Sequence, residues 1–107
     1  MASPLEPEAL YHLVTPTALA EHRRKGHISP PSLDEEGFVH CSWGAQVSGT
    51  VAKHFAGEPE VLALKLDEVA VADSLVEEDS YGSGQRFPHV YRALRLDEVQ
   101  SETQVKP

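Results

Sequence analysis

Three histidines stand in stretches that read as β-strands: His12 in LYHLV, His40 in GFVHCS and His89 in PHVYRAL. An imidazole can give or take a proton near neutral pH, so this residue type suits general acid/base work. A single strand histidine is more often a core residue with one ring nitrogen bonded to a backbone carbonyl. Three on three separate strands make a more pointed pattern, and they mark the expected pocket. His40 is the expected acid/base group, with His12 and His89 orienting substrate. Tyr91, Ser42 and Glu78 are the expected hydrogen-bond partners for developing charge. Arg86 and Arg92 are the expected contacts for an anionic group. One alternative is a zinc site on His12, His40 and His89, since three neutral imidazoles with an open position activate a bound water. No short-spaced pair such as HExxH accompanies them, so this ranks second. Another alternative is a binding module with no turnover.

The elements that must position these residues follow from local signals. Leu10 to Val14 is a short strand. Thr15 and Pro16 then open a helix, as a hydroxyl cap followed by proline at the first helical position, and Gly26 closes it. HISPPSLDEE reads as a loop. Gly37 to Ser42 is a second strand, and Ser42 is placed to cap the helix that follows. Trp43, Val47, Val51 and Phe55 recur every four residues and predict one apolar helix face, ended near Gly57. Val61 to Asp67 alternates and gives the clearest strand. Glu68 to Asp73 is a link, Ser74 to Glu78 a strand, DSYGSGQRF a flexible loop that could serve as a lid beside His89, and Pro88 to Leu94 a further strand. LDEV forms a last turn. Residues 1–8 and 101–107 read as flexible tails around a core of about 10–99, within one domain spanning 1–107.

Side chains alternate across a strand. His12 therefore shares a face with Leu10 and Val14, against Tyr11 and Leu13. Phe38, His40 and Ser42 oppose Val39 and Cys41. Leu62, Leu64 and Leu66 form an aliphatic face. His89 and Tyr91 oppose Val90 and Leu94. If the strands are neighbours, His12, His40, His89 and Tyr91 line one side of a sheet or cleft. Cys41 points away from His40, which argues for a buried thiol over a Cys–His nucleophile pair. His22, His27 and His54 fall on helices or loops and are read as structural. Trp43 is read as core.

Composition bounds the rest. The chain has 107 residues, 40% of them hydrophobic and 24% charged, which suits one modest core. A formal net charge of −8 disfavours general nucleic-acid binding. The clusters Arg23, Arg24, Lys25 and Arg86, Arg92, Arg95 are local exceptions. No apolar run approaches the ~20 residues that span a bilayer. The N-terminus has no signal-like pattern, and the single Cys41 cannot form an internal disulfide. A cytoplasmic protein acting on a small molecule, without a membrane partner, is the expectation; the oligomeric state is open.

Three stretches carry a family likeness: YHLVT (Tyr11 to Thr15), SLDEEGFVHCS (Ser32 to Ser42) and EDSYGSGQRFPHVYRAL (Glu78 to Leu94), with VLALKLD between. In this order and spacing they resemble the bacterial domain-of-unknown-function family 952, over about residues 10–99. That family is grouped by similarity with the ADP-ribosyltransferase-like fold. The resemblance implies an α+β domain, with a split mixed or antiparallel sheet, a central cleft and two main helices. It also implies a nicotinamide dinucleotide (NAD) in the cleft. His12 matches the histidine that contacts a ribose there, His40 occupies the second motif, and Glu78 or His89 takes the third role. Arg92 and Ala93 stand where the family pattern has glycine and proline, and Glu77 stands where it often has tryptophan.

Overall fold

Alternation along the first strand sorts its side chains onto two faces, and each face builds a core. The computed structural model of the protein describes residues 5–79 and 82–106. Strand β1 (Leu10–Val14) sends Leu10 and Val14 into one apolar cluster and Tyr11 and Leu13 into another. Helix α1 (Pro16–Lys25) follows, capped by the Thr15 hydroxyl, which accepts from the Ala18 N–H at 3.1 Å. Gly26 ends it in the left-handed region (φ 89°), which a side chain would strain.

The segment expected as a loop contains two elements, β2 (His27–Ile28) and α2 (Pro31–Glu36). Helix α2 has six residues and no buried one, and Leu33 packs against the core from a partly exposed position. So short a helix leaves no periodicity to read. The strand expected over Gly37 to Ser42 is two strands, β3 (Val39–His40) and β4 (Ser42–Trp43), broken at Cys41. A 3₁₀ turn at Gly44–Gln46 leads into α3 (Val47–His54). Trp43 therefore lies on a strand, while Val47, Val51 and Phe55 form the apolar face of the helix region. Ser42 is not the cap of that helix, a position held by Gln46; its hydroxyl meets that of Thr50 at 3.3 Å.

Strand β5 (Val61–Leu66) matches its alternating pattern. The link after it holds a short helix, α4 (Glu68–Val71), capped by Asp67 on the Ala70 N–H at 3.2 Å. Then come β6 (Leu75–Glu78), β7 (Phe87–Val90) and β8 (Leu94–Arg95). The single strand expected over Pro88 to Leu94 thus breaks after Val90. The polar C-terminal segment expected as a tail is strand β9 (Val99–Lys106).

All strand pairs are antiparallel. One sheet runs β4-β1-β5-β9, a second β3-β7-β6, and a two-stranded ribbon joins β2 to β8. The larger core lies where the faces meet. It takes Leu10, Val14, Leu64 and Leu66 from the first sheet, Val39 and Val90 from the second, and Leu19, Ile28, Val71 and Leu94 around them. The smaller core packs Tyr11, Leu13, Val61 and Ala63 against Val47 and the partly buried Val51 and Phe55. This is an α+β architecture of antiparallel sheets with four α-helices among the described residues.

Residues 5–8, expected as part of a frayed end, are held to the fold. The Tyr11 hydroxyl accepts from the Glu6 N–H at 3.0 Å, and the Ala45 N–H donates to the Pro7 carbonyl at 3.1 Å. The approach is so close that a Cβ at Gly44 would collide with the Glu6 carbonyl.

Strand β9 pairs with β5 from Lys106 opposite Val61 to Val99 opposite Leu66. Lys106 Nζ donates to the carbonyls of Phe55 and Ala56, both at 2.8 Å. Only Val99, Thr103, Val105 and Lys106 turn partly inward, so its composition is that of a polar edge strand. Removing residues 101–107 should therefore lower unfolding free energy by about 3 kcal/mol or more, from lost apolar cover and unpaired β5 backbone groups. Urea denaturation of the truncated chain checks this; an unchanged midpoint would mean that the segment is a tail.

Candidate functional site

Two of the three histidines are cross-strand partners. Strands β3 and β7 pair with Val39 opposite Val90 and His40 opposite His89. The valines enter the larger core, so the histidines share the outward face. Their rings meet edge to face, with centroids 5.1 Å apart and planes at 85°. Phe38 lies on the same face and stacks on His89 at 4.0 Å and 11°, and its ring edge meets His40 at 4.9 Å. Tyr91 follows His89 by two residues, and its ring stands 5.2 Å from Phe38.

Each imidazole is held by a carboxylate. Glu36, the last residue of α2, places Oε1 2.9 Å from His40 Nε2, four residues along the chain. Glu78, the last residue of β6, places Oε1 2.9 Å from His89 Nδ1. The Tyr91 hydroxyl donates to that same Glu78 oxygen. Hydrogen bonds from Tyr91 and then from His89 hold the Glu78 carboxyl below the ordinary carboxylate range. The bond to Glu78 in turn raises the Tyr91 phenol above its ordinary value. At neutral pH, Glu78 is thus an ionised acceptor and Tyr91 a protonated donor.

Exposure divides the roles. The His89 side chain is 2% exposed, whereas that of His40 is 39% exposed. Tyr91 is 44% exposed. A solute reaches His40 and Tyr91 directly. It reaches His89 through the chain Tyr91 hydroxyl, Glu78 carboxylate, His89 Nδ1–H.

His12 does not join this face. Its Cα pairs with Leu64, and alternation carries its side chain to the core side with Leu10 and Val14. It is 5% exposed. Its Nδ1 donates to the His40 carbonyl at 2.6 Å, since a carbonyl can only accept. That fixes the Nδ1–H tautomer and leaves the Nε2 lone pair buried without a hydrogen-bond partner among the described residues. The expected substrate-orienting role in a shared cleft is corrected: His12 sits behind His40 and grips its backbone.

The other expected contacts also disperse. Ser42 is buried beside Thr50, because the break at Cys41 carries it into the other sheet. Arg92 forms a two-pronged ion pair with buried Glu98, at 2.9 and 2.7 Å, and donates to the carbonyls of Ala70 and Ala93. Its charge is thus committed within the fold. Arg86 is exposed, and its carbonyl accepts from Gln46 at 2.7 Å. Two residues of the cluster were missed as functional: Glu36, for which the Glu36-to-His40 spacing was the available signal, and Phe38, which alternation places beside His40. Trp43 donates from Nε1 to Glu77 at 2.6 Å and packs partly against the larger core.

Beyond Glu78, the Asp79 carboxylate accepts from the Ser83 and Gly84 N–H groups at 2.8 and 2.7 Å. Ser80 and Tyr81, part of the segment expected as a flexible lid, lie outside the described residues. Among the described residues, no three His, Cys, Asp or Glu side chains are gathered to hold a metal ion, so the His12, His40, His89 zinc set is not formed. Burial pushes the Cys41 thiol far up, as an inert core thiol requires. Two surface hollows, of about 530 and 460 Å³, lie elsewhere, one between α3 and β9 and one beside Trp43. No described helix is long and apolar enough to cross a membrane.

Fold and site together define an α+β protein that presents a carboxylate-backed histidine pair on the outer face of its smaller antiparallel sheet. Residues 13–102 match the model of the family described as protein of unknown function, DUF952, and the chain belongs to that family. The crystal structure of protein CC0527 from Caulobacter crescentus is similar, with a TM-score of 0.78 and 30% identity, over 89% of this chain and 83% of that one. The solution NMR structure of CC0527 gives a TM-score of 0.75 at 30% identity, over 88% and 81%. No curated protein matches.

Burial of His12 makes stability depend on pH. Desolvation lowers its pKa from 6.5 to about 4. On acidification the unfolded chain takes up a proton near 6.5, and the folded chain does so only near 4. The contribution is complete above about 6.5 and is lost as pH falls towards 4, amounting to about 3 kcal/mol. Denaturant titrations at pH 7.5, 5.5 and 4.5 should show this loss, and the slope should shrink by about one proton in His12→Asn. Equal slopes in the two proteins would contradict it.

Proposed function

We propose that the protein is an enzyme that performs acid/base chemistry on a small metabolite at the outer face of the β3-β7-β6 sheet. His40 exchanges the proton with substrate, and Tyr91 donates a hydrogen bond to the charge that develops. The observation that carries this reading is the junction of two supported groups, His40 on Glu36 and Tyr91 on the Glu78–His89 pair. A carboxylate behind an imidazole fixes its tautomer and stabilises its protonated form. Ionised Glu78 keeps the Tyr91 proton in place until a stronger acceptor, such as an enolate or alkoxide oxygen, arrives. Proton transfer, elimination, cyclisation and hydrolysis all use such a pair.

An ADP-ribosyltransferase-like use of this fold, with a nicotinamide dinucleotide, is the second reading. The presence of His40, Tyr91 and Glu78 on one face supports it. The small-metabolite reading is preferred because His12, which the resemblance assigns to a ribose contact, is buried against the His40 carbonyl, and Arg92 is spent on Glu98.

The test incubates the protein in D₂O with a panel of small carbonyl compounds, hydroxy acids and esters, and separately with the dinucleotide, and follows products and solvent deuterium by NMR. Turnover of a panel member should fall about 100-fold or more in His40→Ala, and about tenfold in Tyr91→Phe. Release of nicotinamide that depends on His40 would transfer the assignment to the second reading. Binding without turnover would sink the enzyme assignment and leave a binding module.

A further inference from the structure

We infer that His12 is a positioning residue that sets the place of the His40 ring from the opposite side of its strand, an inference that rests on His40 being the substrate-facing group. The peptide between His40 and Cys41 is where the chain leaves β3 in one sheet for β4 in the other. Both polar atoms of that peptide are held from outside its own strands. Its carbonyl accepts from His12 Nδ1 at 2.6 Å, and its N–H donates to the Pro88 carbonyl at 3.1 Å. Pro88 directly precedes His89. The same peptide plane is thus pinned to β1 on one side and to the neighbour of the second histidine on the other.

Two pins fix the rotation of a peptide plane, and that rotation aims the Cα–Cβ bond of the residue before it. The aimed side chain is His40, whose ring must meet His89 edge to face and reach Glu36. The pin is short and buried, with His12 5% exposed, so water cannot replace it. Losing the donor strands a carbonyl in the core and frees the plane to turn. The sequence feature is a strand histidine placed among Leu10 and Val14, where an aliphatic residue would serve packing equally well. What histidine adds there is the Nδ1–H.

The test uses NMR of the whole chain and needs no substrate. In the wild type the His40 ring protons should show contacts to the His89 ring and a ring-current shift from Phe38 and His89. His12→Phe fills the same space without a donor, and should lose the His40–His89 contact and move the His40 ring signals, with the β9 amide signals, one strand removed, unchanged. His12→Asn, whose side-chain amide can place a donor where Nδ1 stands, should restore them. If His12→Phe does not fold, His12→Gln, with its donor displaced outward, should lose the same contacts in a polar side chain. His40 ring signals unchanged in folded His12→Phe, or in His12→Gln where His12→Phe does not fold, would overturn the inference, as would failure of His12→Asn to restore them. Because the readout is ring geometry, absence of turnover in any assay leaves this result independent.

Discussion

The pairing of β3 with β7 is the constraint on which the site depends. It is only two residues deep on the β3 side, yet it sets His40 opposite His89 and buries Val39 and Val90 beneath them. Neither strand is held by its ladder alone. Strand β7 is flanked by β6, which brings Glu78, and β3 is entered from α2, which brings Glu36. The face is anchored by one apolar core and decorated by groups from four elements, α2, β3, β6 and β7. A slip of β3 by one residue in that register would turn His40 inward and Val39 out, and end the meeting of His40 with His89.

The charge arrangement follows from the same geometry. Two carboxylates stand at the rim of an aromatic patch in a chain of net charge −8, and each is matched to a hydrogen-bond donor. The phenol and one imidazole are accessible, while the other imidazole lies beneath Phe38. Such a layering separates groups that face solvent from a group that lies beneath them. The permanent cation of Arg92 is kept out of the patch by its pairing with Glu98, an ion pair that also ties the end of β7 to the turn before β9. The face therefore carries titratable groups with little fixed positive charge of its own.

Much of this was legible as alternation. The sets Val39 with Cys41 and Leu62 with Leu64 and Leu66 follow from a period of two, and all pack into or against the larger core; Leu94 reaches the same core as Val90 from β8, beyond the break in the expected strand. The same alternation already separated the histidines. His12 shared parity with Leu10 and Val14, whereas His40 and His89 opposed valines; grouping all three on one side required the strand faces to meet in a way the structure does not provide. Ser42 shows the other limit, since parity within a strand fails once the chain changes sheets at Cys41. Strand β9 was illegible for a different reason. Its order comes from β5 and from Lys106 on the end of the α3 segment, partners distant in sequence, while its own residues are those of a solvated edge.

The account turns on one linkage, from buried His89 through Glu78 to exposed Tyr91, beside the accessible His40. Its most direct test is the tautomer of His89, read from long-range ¹H–¹⁵N correlations of the wild-type chain at pH 7.5. A single Nδ1–H form is predicted, with a slowly exchanging proton that disappears from the spectrum in Glu78→Ala. A His89 ring that averages between tautomers and exchanges its protons rapidly, with or without Glu78, would contradict the account.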